Sequence, residues 1–280
     1  VASTSNNPSN GGQANLDLRG LGTQRTLVLI SDFQRAGWQG EAIEPLAVAT
    51  LFDGKHGPRL ADHDAQYVVF RVSWRGEAAA RAMFDMPESG AMVDAAAQSD
   101  LLYFSLITLA ILPDAGREAL LALCERVKAG GGLIAFDGNY RPRLWSDAAT
   151  ARAWRDRAIA LCDIGLPTLA DEVEMGEADD AADAAARWGA GEGREIVVKL
   201  GAEGCLVGGV LVPPPARVDV VDSSGAGDAF NGGYLHARLA GAEPAEAALA
   251  GHRLAGWNIG RRGAIPARDA DAPYGQKVPA

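Results

Sequence analysis

The 280-residue chain carries 48% hydrophobic and 22% charged residues, a balance suited to one large globular domain. A net charge of -10 argues against nucleic acid or an anionic membrane as main partner, yet leaves room for a small anion in a locally basic site. No apolar run approaches the ~20 residues of a membrane span.

The opening "VASTSNNPSNGG" is polar and shows no signal-peptide pattern; a cytoplasmic location is expected from the free cysteines. "TLVLIS" from Thr26 suggests a strand and "GEAIEPLAVATLF" a helix; the order of elements over residues 1–65 is not legible. "QYVVFRVSWRG" alternates: Val68, Phe70, Val72 and Trp74 share one face, and Tyr67, Arg71, Ser73 and Arg75 the other. A half-solvated strand with arginines on its open face fits a lid over a cleft, or equally an edge strand with solubilising charges.

From residue 100 the order is regular. "DLLYFSLITLAIL" reads as a buried strand and "DAGREALLALCERVKAGG" as a helix stopped by glycines. "LIAFD" is a strand, "GNYRPRLW" a loop, "DAATARAWRDRAIALC" a helix and "DIGLPT" a short strand. "DEVEMGEADDAADAAARWGA" is one helix or a broken pair; "EIVVKLG" and "GCLVGG" pair as strands. Strands alternating with helices imply a mostly parallel sheet covered on both faces. Cys124, Cys162 and Cys205 show no ligand or redox spacing and read as buried free thiols of a reducing compartment. The four histidines form no zinc pattern.

The most informative stretch is "VVDSSGAGDAFNGGYLHARL", residues 220–239. A strand "RVDVV" is expected before it. Gly225, Ala226 and Gly227 let the backbone turn tightly beside a ligand, and the helix that follows offers unpaired amides to an anion. Asp228, in the first turn, is then placed to take a proton from an alcohol attacking a bound phosphate. The competing reading is that Asp228 and Ser224 merely cap the helix.

"DSSGAGDAFNGGYL" closely resembles the C-terminal signature of the ribokinase-like carbohydrate kinases, the PfkB family. That resemblance implies a three-layer α/β/α sandwich with a mostly parallel central sheet and a small β lid. It implies one domain over residues 1–280, the lid coming from about 63–78, with part of the N-terminal region a candidate for the rest. ATP and Mg2+ are the implied cofactors. Asp228 is the implied base, and the amides of Gly225, Ala226 and Gly227 the implied anion hole. A homodimer through lid strands is a further expectation, and neither nucleic acid nor membrane is an expected partner.

"LLYFSLITLAILP", "FDGNYRPRLW", "VVKLGAEGC" and "GHRLAGWNIGRRGAIPARDA" resemble one branch of that family, the 2-keto-3-deoxygluconate kinases, over about residues 68–269. The implied reaction is phosphorylation of the terminal hydroxyl of this sugar acid. In that branch Arg141 and Arg75 grip the carboxylate, which guanidinium can bind bidentately. Arg75 as a solvated lid residue and Arg141 as an ion-pair partner of Asp137 are the alternatives. Gly12, Asn15 and Ser73 complete the implied sugar site. The implied nucleotide site takes Asn139, Arg141, Thr168, Lys199, Gly201, Ala202, Gly204, Gly225, Gly227 and His252. Asp171 and Glu172 are implied near magnesium, through water. For Thr168, Asp171 and Glu172 a capped helix start is the alternative, for "KLGAEG" a hairpin turn, and for His252 a helix surface.

The chain departs from the family pattern at Ser73 (usually Tyr), Leu106 (Gly) and Gly138 (Pro), and "NGGQANLDLRGLG" shortens the usual spacing. A fructokinase or other sugar kinase of the family is the alternative activity. A non-catalytic binding protein on the same fold is the alternative of another class.

Overall fold

The computed structural model describes residues 26–28, 84, 89–190, 193–264, 266 and 269–273. Seven strands lie side by side in chain order: β1 (Thr26–Val28), β2 (Leu101–Ser105), β3 (Leu133–Asp137), β4 (Ile164–Gly165), β5 (Glu195–Lys199), β6 (Cys205–Val207) and β7 (Val210–Val212). Neighbours from β1 to β5 are parallel, and β6 and β7 extend the sheet antiparallel. The helices described are α1 (Ser89–Ala96), α2 (Leu106–Ile111), α3 (Asp114–Ala129), α4 (Ala148–Leu161), α5 (Leu169–Glu174), α6 (Ala181–Arg187), α7 (Ala226–Leu239) and α8 (Pro244–Ile259).

Successive side chains of a strand point to opposite faces, and here both faces are covered. Leu102, Phe104, Ile134, Phe136, Ile196 and Val198 pack against Leu120, Cys124 and Val127 of α3, Ala151 and Ala158 of α4, and Ala184 of α6. Their neighbours Leu101, Tyr103, Ala135 and Val197 enter a second core with Phe230, Tyr234 and Leu235 of α7 and Ala247 and Ala248 of α8. The result is the expected three-layer α/β/α sandwich, with each buried Leu or Phe contributing roughly 1.5–3 kcal/mol. Cys124, Cys162 and Cys205 are free and buried, and burial raises all three thiols, Cys162 and Cys205 to about 12. The expected lid, residues 63–78, lies outside the described residues. No described helix is long and apolar enough to cross a membrane.

Two sequence expectations need correction. The apolar run from Leu101 is not one strand: β2 stops at Ser105, and α2 starts at Leu106. The backbone N–H of Ser105 donates to Thr108 Oγ1 at 3.2 Å, and this local bond ends the strand. Leu106, Ile107 and Leu109 are buried in the helix as they would be in a strand, so the apolar pattern hides the break. The second correction concerns "RVDVV", which joins no ladder: Val218, Val220 and Val221 are exposed, and the amides of Val221 and Asp222 donate instead to Ile259 O. The stretch from Asp171 to Ala190 is a broken pair, α5 and α6.

Gly138 has a packing reason. A Cβ there would meet Trp188 Cζ2 at 2.7 Å, so the backbone runs flat against the indole. Trp188 also stacks on Phe136, with ring centroids 5.5 Å apart. Proline's ring would face the same obstacle, which fits glycine at this position to tryptophan at 188.

Candidate active site

In a parallel sheet the open crevice lies beyond the carboxyl ends of the strands. Asp137 ends β3 and Lys199 ends β5, and the two meet there: Lys199 Nζ donates to Asp137 Oδ1 at 2.8 Å, both side chains almost wholly buried. Asp137 Oδ2 accepts from Asn231 Nδ2 of α7 at 3.0 Å and from Tyr103 OH of β2 at 3.4 Å. Asn231 Nδ2 also lies 3.1 Å from the Tyr103 oxygen. Burial, then the charges of Asp137 and Asp228, push the Tyr103 phenol well above its usual range, so it stays a neutral donor.

The start of α7 is tied down from three sides. Gly225 is its N-cap at φ +73°, where a Cβ would meet Ala264 O at 2.7 Å. Asp222 accepts from Ser224 N and Gly263 N, both at 2.9 Å, and Asn258 Nδ2 donates to Ser224 O at 2.8 Å. Those backbone donors hold the Asp222 carboxyl below its usual range. No side chain caps α7: its N-cap is left-handed Gly225, so the competing reading of Ser224 and Asp228 as mere helix caps does not hold. Ala226 N reaches back to Ser223 O at 3.3 Å, so of the expected anion-hole amides this one already has a weak partner. Asp228 stands half-buried in the first turn, its charge felt at Tyr103. A Cβ on Gly227 would lie 3.8 Å from Lys199 Nζ, so the ammonium faces the helix start.

Across the crevice, Lys199 N donates to Pro167 O at 2.8 Å and Thr168 bridges to Lys199, bringing the start of α5 alongside β5. Thr168 accepts the amides of Asp171 and Glu172 on its carbonyl, while its side chain makes no cap. Asp171 accepts from Tyr140 N at 3.3 Å and pairs with Arg141 Nη1 at 3.5 Å. Arg141 thus pairs with Asp171 and not with Asp137, whose cation is Lys199. Half of the Arg141 side chain remains exposed at the crevice. Asn139 Oδ1 is buried and has no partner among the described residues.

Glu172 is not available to a metal. It is wholly buried and points into the sandwich, where Oε2 pairs with Arg155 Nη1 at 3.1 Å. Adjacent helical residues diverge by about 100°, which sends Asp171 to the crevice and Glu172 to the core. "KLGAEG" forms the connection from β5 to antiparallel β6, through a turn at Gly201–Glu203; Ala202 is exposed, and Gly204 abuts Val212 of β7. His252 is no helix-surface residue: its buried ring tilts against Phe230, and Nε2 contacts Val212 O at 2.9 Å. Gly12, Asn15, Ser73 and Arg75 lie outside the described residues.

Asp171 carries a strained charge. Burial pushes its carboxyl up to about 6, against the opposing pull of Arg141. Its folded value stands above its unfolded one, so its contribution to stability is fully present below pH ~4 and is lost as pH rises through about 6. Asp171→Asn is expected to raise stability by about 1–3 kcal/mol at pH 7.5, with little gain near pH 4. Urea unfolding at both pH values checks this; a variant no more stable than the parent at pH 7.5 contradicts it.

Sequence reasoning missed three members of the buried network. Asp137 entered only as a partner for Arg141, and Tyr103 and Asn231 not at all. A signal existed for Asn231: it is a lone amide three residues after Asp228, on the same helix face and among apolar neighbours. Asp137 and Tyr103 sit in runs so apolar that nothing distinguishes them before the strands are aligned.

A family model described as "pfkB family carbohydrate kinase" matches residues 69–271. The 2-dehydro-3-deoxygluconokinase of Escherichia coli (strain K12) is 36% identical over 240 residues, 83% of this chain and 78% of that protein. That of Dickeya dadantii is 37% identical over 238 residues, 82% of this chain and 76% of that protein. Among solved structures, the Salmonella enterica aminoimidazole riboside kinase complexed with aminoimidazole riboside and ATP analog has a TM-score of 0.53 and 29% identity, covering 64% of this chain and 61% of that one. The Vibrio cholerae O395 fructokinase in fructose, ADP and calcium ion bound form gives 0.52 and 26%, covering 59% and 56%. Each structural match thus spans less than two thirds of the solved chain.

Proposed function

The chain belongs to the pfkB family of carbohydrate kinases, and from that premise we propose that it transfers the γ-phosphate of ATP to the terminal hydroxyl of 2-keto-3-deoxygluconate. The product is 2-keto-3-deoxy-6-phosphogluconate. The observation that carries this reading is the pairing of Asp228 with an open helix start that Lys199 faces. The relatives named 2-dehydro-3-deoxygluconokinase, at 32–37% identity, support the sugar acid over other sugars.

Asp228 accepts the proton of the terminal hydroxyl as its oxygen bonds to the γ-phosphorus; the bond from that phosphorus to the bridging oxygen breaks and ADP leaves. The amides of α7's first turn and the Lys199 ammonium stabilise charge on the transferring group. Asp171, largely buried at the crevice wall, and the unpartnered Asn139 Oδ1 fit a hydrated magnesium ion, which when bound neutralises phosphate charge. The buried free thiols fit a cytoplasmic enzyme.

Arg141 supplies the carboxylate contact from the loop after β3. Arg141→Ala is expected to weaken kcat/KM for the sugar acid by about 1.5–3 kcal/mol, the range for a charge-assisted hydrogen bond, and to change fructose use far less. Equal losses on both sugars would show that Arg141 does not read the carboxylate.

A further inference from the structure

The Asp137 carboxylate is almost wholly buried, and its hydrogen bonds go to Lys199, Asn231 and Tyr103, not to Asp228 or Arg141. We propose that Asp137 is a positioning residue for phosphoryl transfer, acting through Lys199: it is the counter-ion that keeps the ammonium at the α7 cradle and away from the competing carboxylates. This rests on the kinase reading above.

Lys199 is paired with Asp137, its charge is felt at Asp171, and its ammonium faces the glycine next to Asp228. Asp137 holds it at 2.8 Å, and the other Asp137 oxygen is fixed by Asn231 and Tyr103, so the carboxylate cannot turn to follow a moving lysine. Asp171 feels both Lys199 and Asp137 electrostatically, and Asp228 stands one residue beyond the glycine that Nζ faces. Without charge at 137, the flexible lysine stem is free to swing to either remaining acid. At Asp171 it leaves the cradle; at Asp228 it ion-pairs with the proton acceptor and lowers its basicity. A fixed buried carboxylate prevents both outcomes, and it joins β2, β3, β5 and α7 at one point. Asn231, three residues after Asp228, carries the same anchorage to the helix that bears the base.

The test is a double-mutant cycle on the full chain with MgATP and the sugar acid, using Asp137→Asn, Lys199→Met and the pair. Asp137→Asn is expected to lower kcat about 10- to 100-fold, the scale for losing a group that orients a catalytic one, with the sugar-acid KM unchanged. Lys199→Met is expected to lower kcat about 100-fold or more. The pair should then fall within about threefold of Lys199→Met alone, because Asp137 has nothing left to position. Losses that multiply in the pair, or a normal kcat for Asp137→Asn, overturn the proposal. If Asp137→Asn does not fold because its ammonium is left buried without a partner, the pair, which lacks that charge, is compared directly with Lys199→Met under the same criterion. A parent chain that turns over no sugar acid refutes the kinase reading; an active parent with multiplicative losses refutes only the role of Asp137.

Discussion

Asp228→Asn is expected to lower kcat by about 10²–10⁴-fold, the contribution of a positioned general base, while ATP still binds. Asparagine keeps the shape and one acceptor but cannot take the proton of the attacking hydroxyl. The helix start should survive the change, because Gly225 and the bonds to Asp222 and Asn258 hold its geometry. Steady-state turnover together with nucleotide titration separates the two effects. Near-normal kcat in a folded variant would end the base assignment, and lost ATP binding would recast Asp228 as a structural residue.

The largest expected effect on stability is at Arg155, far from any solvent-facing role. Its guanidinium is buried and reaches Glu172 at 3.1 Å, Glu177 at 2.9 Å and Asp156 at 2.7 Å. Arg187 reaches the same Glu177, so α4 and α6 are tied to α5 and the turn after it through a single group of charges. Removing one partner of a buried ion pair strands the other charge in the core, and Arg155→Leu is expected to cost about 3–5 kcal/mol at pH 7.5. Burial already raises the Glu172 carboxyl, with Arg155 the main force opposing it. In the variant that carboxyl rises further and can be neutralised by protonation, so the deficit shrinks as pH falls. Urea unfolding at pH 7.5 and 5.5 checks both parts. A deficit below about 1 kcal/mol, the value of an exposed pair, would contradict the account. Since α5 follows its N-cap Thr168 and carries Asp171, the Arg155–Glu172 pair also fixes the crevice wall.

The layered fold was readable wherever one period dominated. The amphipathic helix from Asp114 and the short strands ending at Asp137 and Lys199 emerged at their observed places because glycines and polar residues bracket them. The run from Leu101 did not, since burial on all sides erases the difference between periods of two and 3.6. The valines after Arg217 misled in the opposite sense: alternation suggested a strand, yet their carbonyl partner is Ile259 at the end of α8, a contact no local pattern announces. At the site, Asp228 and Gly225 stood out because glycines mark a turn that a helix follows. Glu172 was misassigned because adjacent acids look alike in sequence, although helical geometry sends one to the crevice and one to the core. The Asp137–Lys199 pair, 62 residues apart, was invisible until β3 and β5 were placed on either side of β4.

The most direct measurement is identification of the product. The chain is incubated with MgATP and 2-keto-3-deoxygluconate, and ADP and sugar phosphate are followed together by phosphorus NMR and mass spectrometry, with fructose as the parallel substrate. The account predicts one ADP per phosphorylated sugar acid, the phosphate on the terminal carbon, and much weaker turnover of fructose. ADP release without a phosphorylated sugar acid, or faster turnover of fructose, would contradict it.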